Sequence, residues 1–152
     1  MQRSVLSALT ILLTVFFAVT IANAETSAEN AIKYRHAAME SMAGHIEILS
    51  LMVFNKVEPN EFYQHHADAL ATGTAELKML FPEGSGQGET EALPAIWEDP
   101  DDFAAAVTKT EQAFATLRDA VAGGDNEAIM SAFAAAGKSC KGCHEKYRKD
   151  DD

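Results

Sequence analysis

The reactive side chains of this sequence are concentrated around residue 140, where two cysteines and a histidine lie within five residues. They are Cys140, Cys143 and His144, in the order C-x-x-C-H. On a helix, residues three and four apart share a face, so the two thiols and the imidazole can be presented together. This spacing is typical of a site where both cysteines form thioethers to one porphyrin and the histidine binds its iron as the proximal ligand. The motif therefore predicts one covalently bound haem c per chain.

Three other uses of the two cysteines are open. A thioredoxin-like redox pair expects a βαβ pattern nearby, and the sequence has none. A zinc site could use Cys140, Cys143 and His144, but it would need a fourth ligand. A structural disulfide would close a loop with only two intervening residues and would stabilise little. We expect haem attachment, because the five-residue pattern is the most specific of these signals.

The first 24 residues are typical of an export signal. A short basic start precedes an apolar run from Val5 to Ile21, and Ala22-Asn23-Ala24 supplies the small-x-small pattern of a cleavage site. The run is about 17 residues long, which is short for a stable membrane anchor. We therefore predict cleavage after Ala24, a single domain over residues 25–152 and a periplasmic location, where c-type haem is attached.

The charge balance restricts the partners. The sequence has 23 acidic and 12 basic residues, with a formal net charge of −11. Nucleic acid is excluded as an expected partner because phosphate binding needs a basic surface. An acidic surface attracts basic protein patches, which suits a redox protein partner with a basic docking face.

Four segments carry apolar residues at helical spacing, and none alternates with a period of two. The segments are approximately residues 28–54, 60–80, 101–122 and 127–149, and the four prolines lie between them. This pattern predicts an all-α fold, an antiparallel up-down four-helix bundle with a long connection between its second and third helices. Cys140, Cys143 and Tyr147 lie on the apolar stripe of the last helix, and Met39 lies on that of the first.

The sequence resembles the cytochrome c′ family, the class II c-type cytochromes, over essentially the whole mature chain. That family places its haem motif at the C-terminal end of a four-helix bundle. The resemblance is carried by Lys33-Tyr34-Arg35-x-x-x-Met39, by Ile96-Trp97-Glu98-Asp99 and by Cys140-Lys141-Gly142-Cys143-His144-x-x-Tyr147-Arg148.

The resemblance implies roles for four further residues. Arg35 is expected near the haem propionates, and Met39 is expected on the distal side of the iron. Tyr147 is expected as an aromatic residue on the proximal side, and Arg148 as a basic residue beside His144. The resemblance also implies a homodimer formed through the first two helices.

The mechanism depends on whether Met39 binds the haem iron, and each case gives a different function. If Met39 binds the sixth position, the iron is low-spin and the protein is an electron carrier. If Met39 only crowds an empty position, the iron is five-coordinate and high-spin, and it binds nitric oxide or carbon monoxide, as the resemblance implies. We predict periplasmic electron transfer, with gas binding as the alternative and a haem-free binding module as a third hypothesis. No arrangement of residues predicts an enzyme.

The other histidines, His36, His45, His65 and His66, are expected at the surface or partly buried. His65 and His66 are adjacent, so on a helix they point about 100° apart. The sequence therefore does not predict that these two rings share one ion.

Overall fold

The computed structural model describes residues 26–149, so the predicted export signal and its cleavage site lie outside the described residues. The helices are α1 (Ala28–Val53), α2 (Tyr63–Ala75), a 3-10 turn (Leu77–Met79), α3 (Ala95–Glu98), α4 (Pro100–Gly123) and α5 (Asn126–Tyr147). Among residues 26–149 there is no strand, only one isolated bridge between Ala92 and Arg148. No helix in this range is long and apolar enough to cross a membrane.

The ends of the long helices follow from local side-chain chemistry. Ser27, Asp99 and Asp125 each accept a hydrogen bond from the backbone N–H three residues later, at 3.3, 3.1 and 2.8 Å. Such N-caps satisfy donors that the first helical turn leaves free. Helix α4 ends before Gly124, whose φ of 72° is left-handed, a conformation that glycine adopts without steric cost. The predicted boundary between the third and fourth bundle helices is thereby confirmed.

The four long helices form the predicted bundle. Helix α4 packs against both α2 and α5, and α1 packs mainly against α2. One apolar core fills the space between them, with buried members Leu49, Val53, Ala67, Leu70, Phe114, Leu117, Val121, Ile129, Ala132 and Ala136. Burying a side chain of the size of leucine or phenylalanine contributes about 1.5–3 kcal/mol to folding. The core therefore holds the helix that carries the C-x-x-C-H motif.

The second bundle helix is shorter than the predicted segment 60–80. At its start, the side chain of Asn60 accepts from the N–H of Phe62 at 2.9 Å, and this local turn delays the helix. At its end, the N–H of Glu76 bonds to the carbonyl of Gly73 at 3.2 Å, and the N–H of Met79 bonds to that of Glu76 at 2.8 Å. These three-residue spacings tighten the last turns into 3-10 geometry.

The connection from Phe81 to Pro94 is joined to the C-terminal end of α5. The N–H of Leu93 donates to the carbonyl of Tyr147 at 2.9 Å, and the N–H of Lys149 donates to that of Glu91 at 2.8 Å. These bonds flank the isolated bridge. The long connection is therefore fixed next to the helix turn that follows the C-x-x-C-H motif.

Candidate functional site

Cys140 and Cys143 are free thiols one turn apart on the inner side of α5. Cys140 packs against the central core, and Cys143 packs against a second cluster built on Ala92, Ile96 and Tyr147. Both thiols are half-buried. The side chains thus present two sulfur atoms to apolar surroundings from a single helix, as covalent attachment of one flat apolar group requires.

The surroundings of the cysteines disfavour the three alternatives. Burial, and secondarily Cys143, raises the pKa of the Cys140 thiol above its ordinary value, and a neutral thiol is a poor redox nucleophile. Within residues 26–149, no group of three His, Cys, Asp or Glu side chains is arranged to hold a metal ion. The thiols are not joined as a disulfide, and the described residues form no βαβ unit. Haem attachment is the one use that this arrangement favours.

His144 follows Cys143 on α5 and is exposed. Its carbonyl accepts from the N–H of Arg148 at 3.1 Å, which closes the last turn of the helix. The imidazole lies one turn from Cys140, as the sequence predicts.

Phe81 and Phe103 connect the cluster around Met39 with the cluster around Tyr147 and Cys143. Phe81 and Phe103 stand edge to face with 5.0 Å between ring centroids, and Phe103 stands edge to face with Tyr147 at 5.1 Å. The same two phenylalanines pack against the cluster that includes Met39 and against the cluster that includes Cys143. A half-buried α1 methionine and an α5 cysteine therefore adjoin one apolar region, which sequence spacing alone does not establish.

Arg35 is buried, with 3% of its surface exposed. Its guanidinium donates to the carbonyl of Leu80 at 3.2 Å and to Oγ and the carbonyl of Ser85 at 3.2 and 3.0 Å. It also donates to Oγ1 of Thr90 at 2.7 Å and lies 4.8 Å from the centroid of the Phe81 ring. Arg35 is therefore not a solvated helix residue, because the Leu80 carbonyl and groups on the long connection enclose its side chain.

The charge of Arg35 provides a test of whether the site fits haem. Its four hydrogen bonds all go to neutral oxygens, and burial lowers its pKa. A buried cation without a charged partner is costly, so an anionic group placed beside it is favourable. Haem carries carboxylates at one edge, and Arg35 contacts Phe81, which borders the Met39 and Cys143 clusters. The paired thiols, the apolar rings and this cation fit the group.

Tyr147 connects α5 to the start of α4. Its hydroxyl donates to the Asp102 carboxylate, which also accepts from Lys146 Nζ at 2.6 Å. Lys146 first, and then Tyr147, lower the pKa of Asp102. Burial, followed by Asp102, raises the pKa of Tyr147 well above its ordinary value. The phenol therefore stays protonated, and its ring supports Cys143 as part of the same cluster.

Arg148 lies one turn after His144, and its side chain contacts the long connection. Its Nε donates to Glu91 Oε2 at 2.7 Å, and this bond is the largest cause of the lowered pKa of Glu91. The neighbouring Lys149 Nζ donates to the carbonyl of Thr90 at 2.8 Å. The structure thus gives Arg148 a role in holding the connection against α5.

Sequence reasoning missed several contributors to the site. Phe103 lies in the apolar pattern of segment 101–122 and Phe81 lies in the long connection, and nothing in the sequence assigns either residue to the site. Thr110 interrupts the apolar face of α4, and its hydroxyl lies 3.6 Å from Cys143 Sγ. That interruption was the available signal for a polar contact. Ser85 and Thr90 lie in a segment without periodicity, so no sequence pattern identified them as partners of Arg35.

Comparisons with known proteins agree with this geometry. A family model described as cytochrome C′ matches residues 30–148. The cytochrome c′ of Pararhodospirillum photometricum is 36% identical over 124 residues, covering 81% of this chain and 99% of that protein. The solved cytochrome c′ of Shewanella frigidimarina has a TM-score of 0.77 and 36% identity, covering 82% of this chain and 98% of that one.

A further solved relative is a variant of the cytochrome c′ from Alcaligenes xylosoxidans in its nitric oxide complex. It has a TM-score of 0.78 and 29% identity, covering 84% of this chain and 99% of that one. The fold, the haem-attachment motif and these similarities lead to one assignment: the chain belongs to the cytochrome c′ family of haem c proteins.

Proposed function

We propose that this protein is an exported electron carrier whose haem c is attached through Cys140 and Cys143, with His144 as the proximal iron ligand and Met39 as the distal ligand. Bound haem would supply one-electron chemistry and an iron able to bind either a further protein ligand or a gas. No residue arrangement requires an organic substrate. The residues of the chain would hold the haem and set the polarity around it. They would also either supply a further ligand to its iron or leave that coordination position open.

The placement of Met39 is the observation that carries the proposal. It belongs to the cluster of Leu77, Leu80 and Val107, against which Phe81 and Phe103 also pack, and those rings reach the Cys143 cluster. Methionine is unbranched, with a soft thioether at the end of three rotatable bonds. Such a side chain can reach a metal from a half-buried position, and methionine ligation raises a haem potential.

Gas binding is the second candidate, supported by the nitric oxide complex of the similar Alcaligenes xylosoxidans variant. A solved carbon monoxide complex of another variant from that organism gives further support. In this case Met39 packs beside the iron without binding it. The two candidates use the same residues and differ in the occupant of one coordination position.

Absorption spectra of the haem-loaded protein separate the two candidates. We expect a sharp low-spin spectrum that carbon monoxide does not change, and a high-spin, carbon monoxide-sensitive spectrum for Met39→Leu. Met42→Leu is the matched control, because Met42 lies on the same helix and packs against both cores. A wild-type spectrum that is already high-spin and responds to carbon monoxide would refute electron transfer through Met39 and support gas binding.

Export and self-association complete the proposal. The mass of the haem-loaded protein should correspond to residues 25–152 plus one haem, and retention of residues 1–24 would contradict cleavage after Ala24.

Ile48, Leu51 and Phe54 are exposed apolar residues at the end of α1. Together with the family resemblance, they support a homodimer formed through α1 and α2. Sedimentation of the wild type and of Leu51→Glu tests this, since the variant should be monomeric if the face is an interface.

A further inference from the structure

Three histidines outside the haem site meet where α1 and α2 pack together. His45 belongs to α1, and His65 and His66 belong to α2. The ring centroids of His45 lie 5.2 Å from His66 and 6.0 Å from His65, and the two α2 rings are 5.4 Å apart. His65 and His66 are adjacent on α2, and the ring of His45 lies close to both of their rings.

The closest contact in this group joins two ring nitrogens. Nδ1 of His45 lies 2.9 Å from Nδ1 of His66. Only one of these nitrogens can carry a proton in such a contact, and the other directs a lone pair towards it. Both residues are half-buried, whereas His65 is exposed. Burial, followed by His45 and His65, lowers the pKa of His66, which favours the neutral imidazole that binds metals.

We propose that His45 and His66 bind a divalent cation of the zinc or copper type through their facing Nδ1 atoms, with the exposed His65 as a third ligand. Two nitrogens bound at about 2.0–2.1 Å to a tetrahedral ion lie about 3.3 Å apart. The observed separation is 2.9 Å, so to admit the ion the nitrogens must separate by about 0.4 Å and each ring must turn until its Nδ1 lone pair points at the ion.

The composition of the site selects the class of metal. Imidazole suits zinc, copper and nickel, whereas magnesium and calcium prefer oxygen ligands. Within residues 26–149 no group of three His, Cys, Asp or Glu side chains is arranged to hold a metal ion, so the His65 side chain must change its rotamer to complete a three-histidine site. Its exposure leaves room for that rotation. The net charge of −11 further attracts cations to the surface.

The site is separate from the haem region. His45 follows Met39 by six residues, about 9 Å along the helix axis. The contacts of the haem region run through Phe81, Phe103 and Cys143, whereas the three histidine rings contact one another where α1 meets α2. Zinc binding should therefore leave the visible spectrum of the haem-loaded protein unchanged.

A zinc titration of the haem-loaded protein, in competition with a chromophoric chelator, tests the proposal. We expect one tightly bound zinc ion per chain in the wild type. Even the outer-shell partners of metal ligands are worth roughly 10- to 100-fold in affinity, so His45→Gln and His66→Gln should each weaken binding by at least about 100-fold. His65→Gln should have a smaller effect, about 10-fold. His36→Gln is the control, because His36 is an exposed histidine on the same helix.

Proton NMR of the wild type provides a second measurement that does not depend on the folding of a variant. Zinc should shift the ring signals of His45 and His66 and leave that of His36 in place. Equal affinity in His66→Gln and the control, unshifted His45 and His66 signals, or one zinc ion per two chains would each overturn the intrachain site.

Discussion

The buried Arg35 should act as the anchor that joins α1 to the long connection. We consider the substitution Arg35→Met, which keeps a long side chain but removes the charge and all five donors. Leu80, Ser85 and Thr90 would lose their hydrogen bonds from the guanidinium. Arg35→Lys keeps the charge, but an ammonium group cannot span four acceptors in the planar geometry of arginine.

The size of the effect follows from these contacts. A hydrogen bond to a charged group contributes about 1.5–3 kcal/mol net, but removing the cation also removes its desolvation cost. Because the connection can relax towards water, the four contacts do not add fully. We expect the free energy of unfolding of Arg35→Met to fall by about 3 kcal/mol, and that of Arg35→Lys to fall by about half as much.

Urea denaturation of the haem-loaded protein measures this difference, and hydrogen exchange at residues 85–93 locates it. Lys33→Gln is the matched control, since Lys33 is a cation on the same helix whose partner, Glu29, is exposed. The free energy of unfolding of Lys33→Gln should match that of the wild type, because an exposed ion pair contributes little to stability. If Arg35→Met were as stable as Lys33→Gln, or if residues 85–93 exchanged no faster, the anchoring argument would be refuted.

Three further predictions concern the titration of Asp102, the substitution of two glycines and the negative surface charge. Because the pKa of Asp102 is lowered in the folded protein, its stabilising effect is complete above the ordinary carboxyl pKa and is lost at lower pH. The stability difference between wild type and Asp102→Asn should therefore be present at pH 6 and disappear in acid titrations followed by circular dichroism. A Cβ on Gly86 would lie 2.6 Å from the Trp97 ring, whereas one on Gly137 would meet nothing within 4 Å. Gly86→Ala should thus destabilise by about 1–3 kcal/mol and Gly137→Ala should stabilise by up to about 1 kcal/mol, measured by urea titration. Electron exchange with a basic redox protein should slow several-fold as salt screens the charge of −11, and a rate independent of salt would contradict acidic docking.

The bundle was predictable because its determinants are local. Apolar spacing identified the four long helices, and residues such as Asp99 and Gly124 fixed their ends through hydrogen bonds to near neighbours. The α2 boundaries were less accurate because a turn at Asn60 and a 3-10 segment have no strong periodic signal. The placement of Cys140, Cys143 and His144 on one helix was predictable for a similar reason, since the three residues lie within one turn of each other along the chain.

The remainder of the site depends on contacts between distant parts of the chain. Arg35 bonds to Thr90, 55 residues away, and Arg148 bonds to Glu91, 57 residues away. Sequence spacing within one helix cannot reveal such partners. The meeting of His45 and His66 was missed for the same reason, because it is set by the register of α1 against α2.

The pairing of residues 91–93 with residues 147–149 affects the order in which this protein can mature. The two segments of this contact are more than 50 residues apart, and closing so long a loop costs entropy that short-range helix formation does not. Helices and the α4–α5 turn can therefore form while the long connection is still undocked. In that interval Cys143 is not yet covered by Ala92, with which it shares a cluster in the folded protein. Docking of residues 91–93 against residues 147–149 is therefore a late step of folding, and it completes the cluster that includes Ala92 and Cys143.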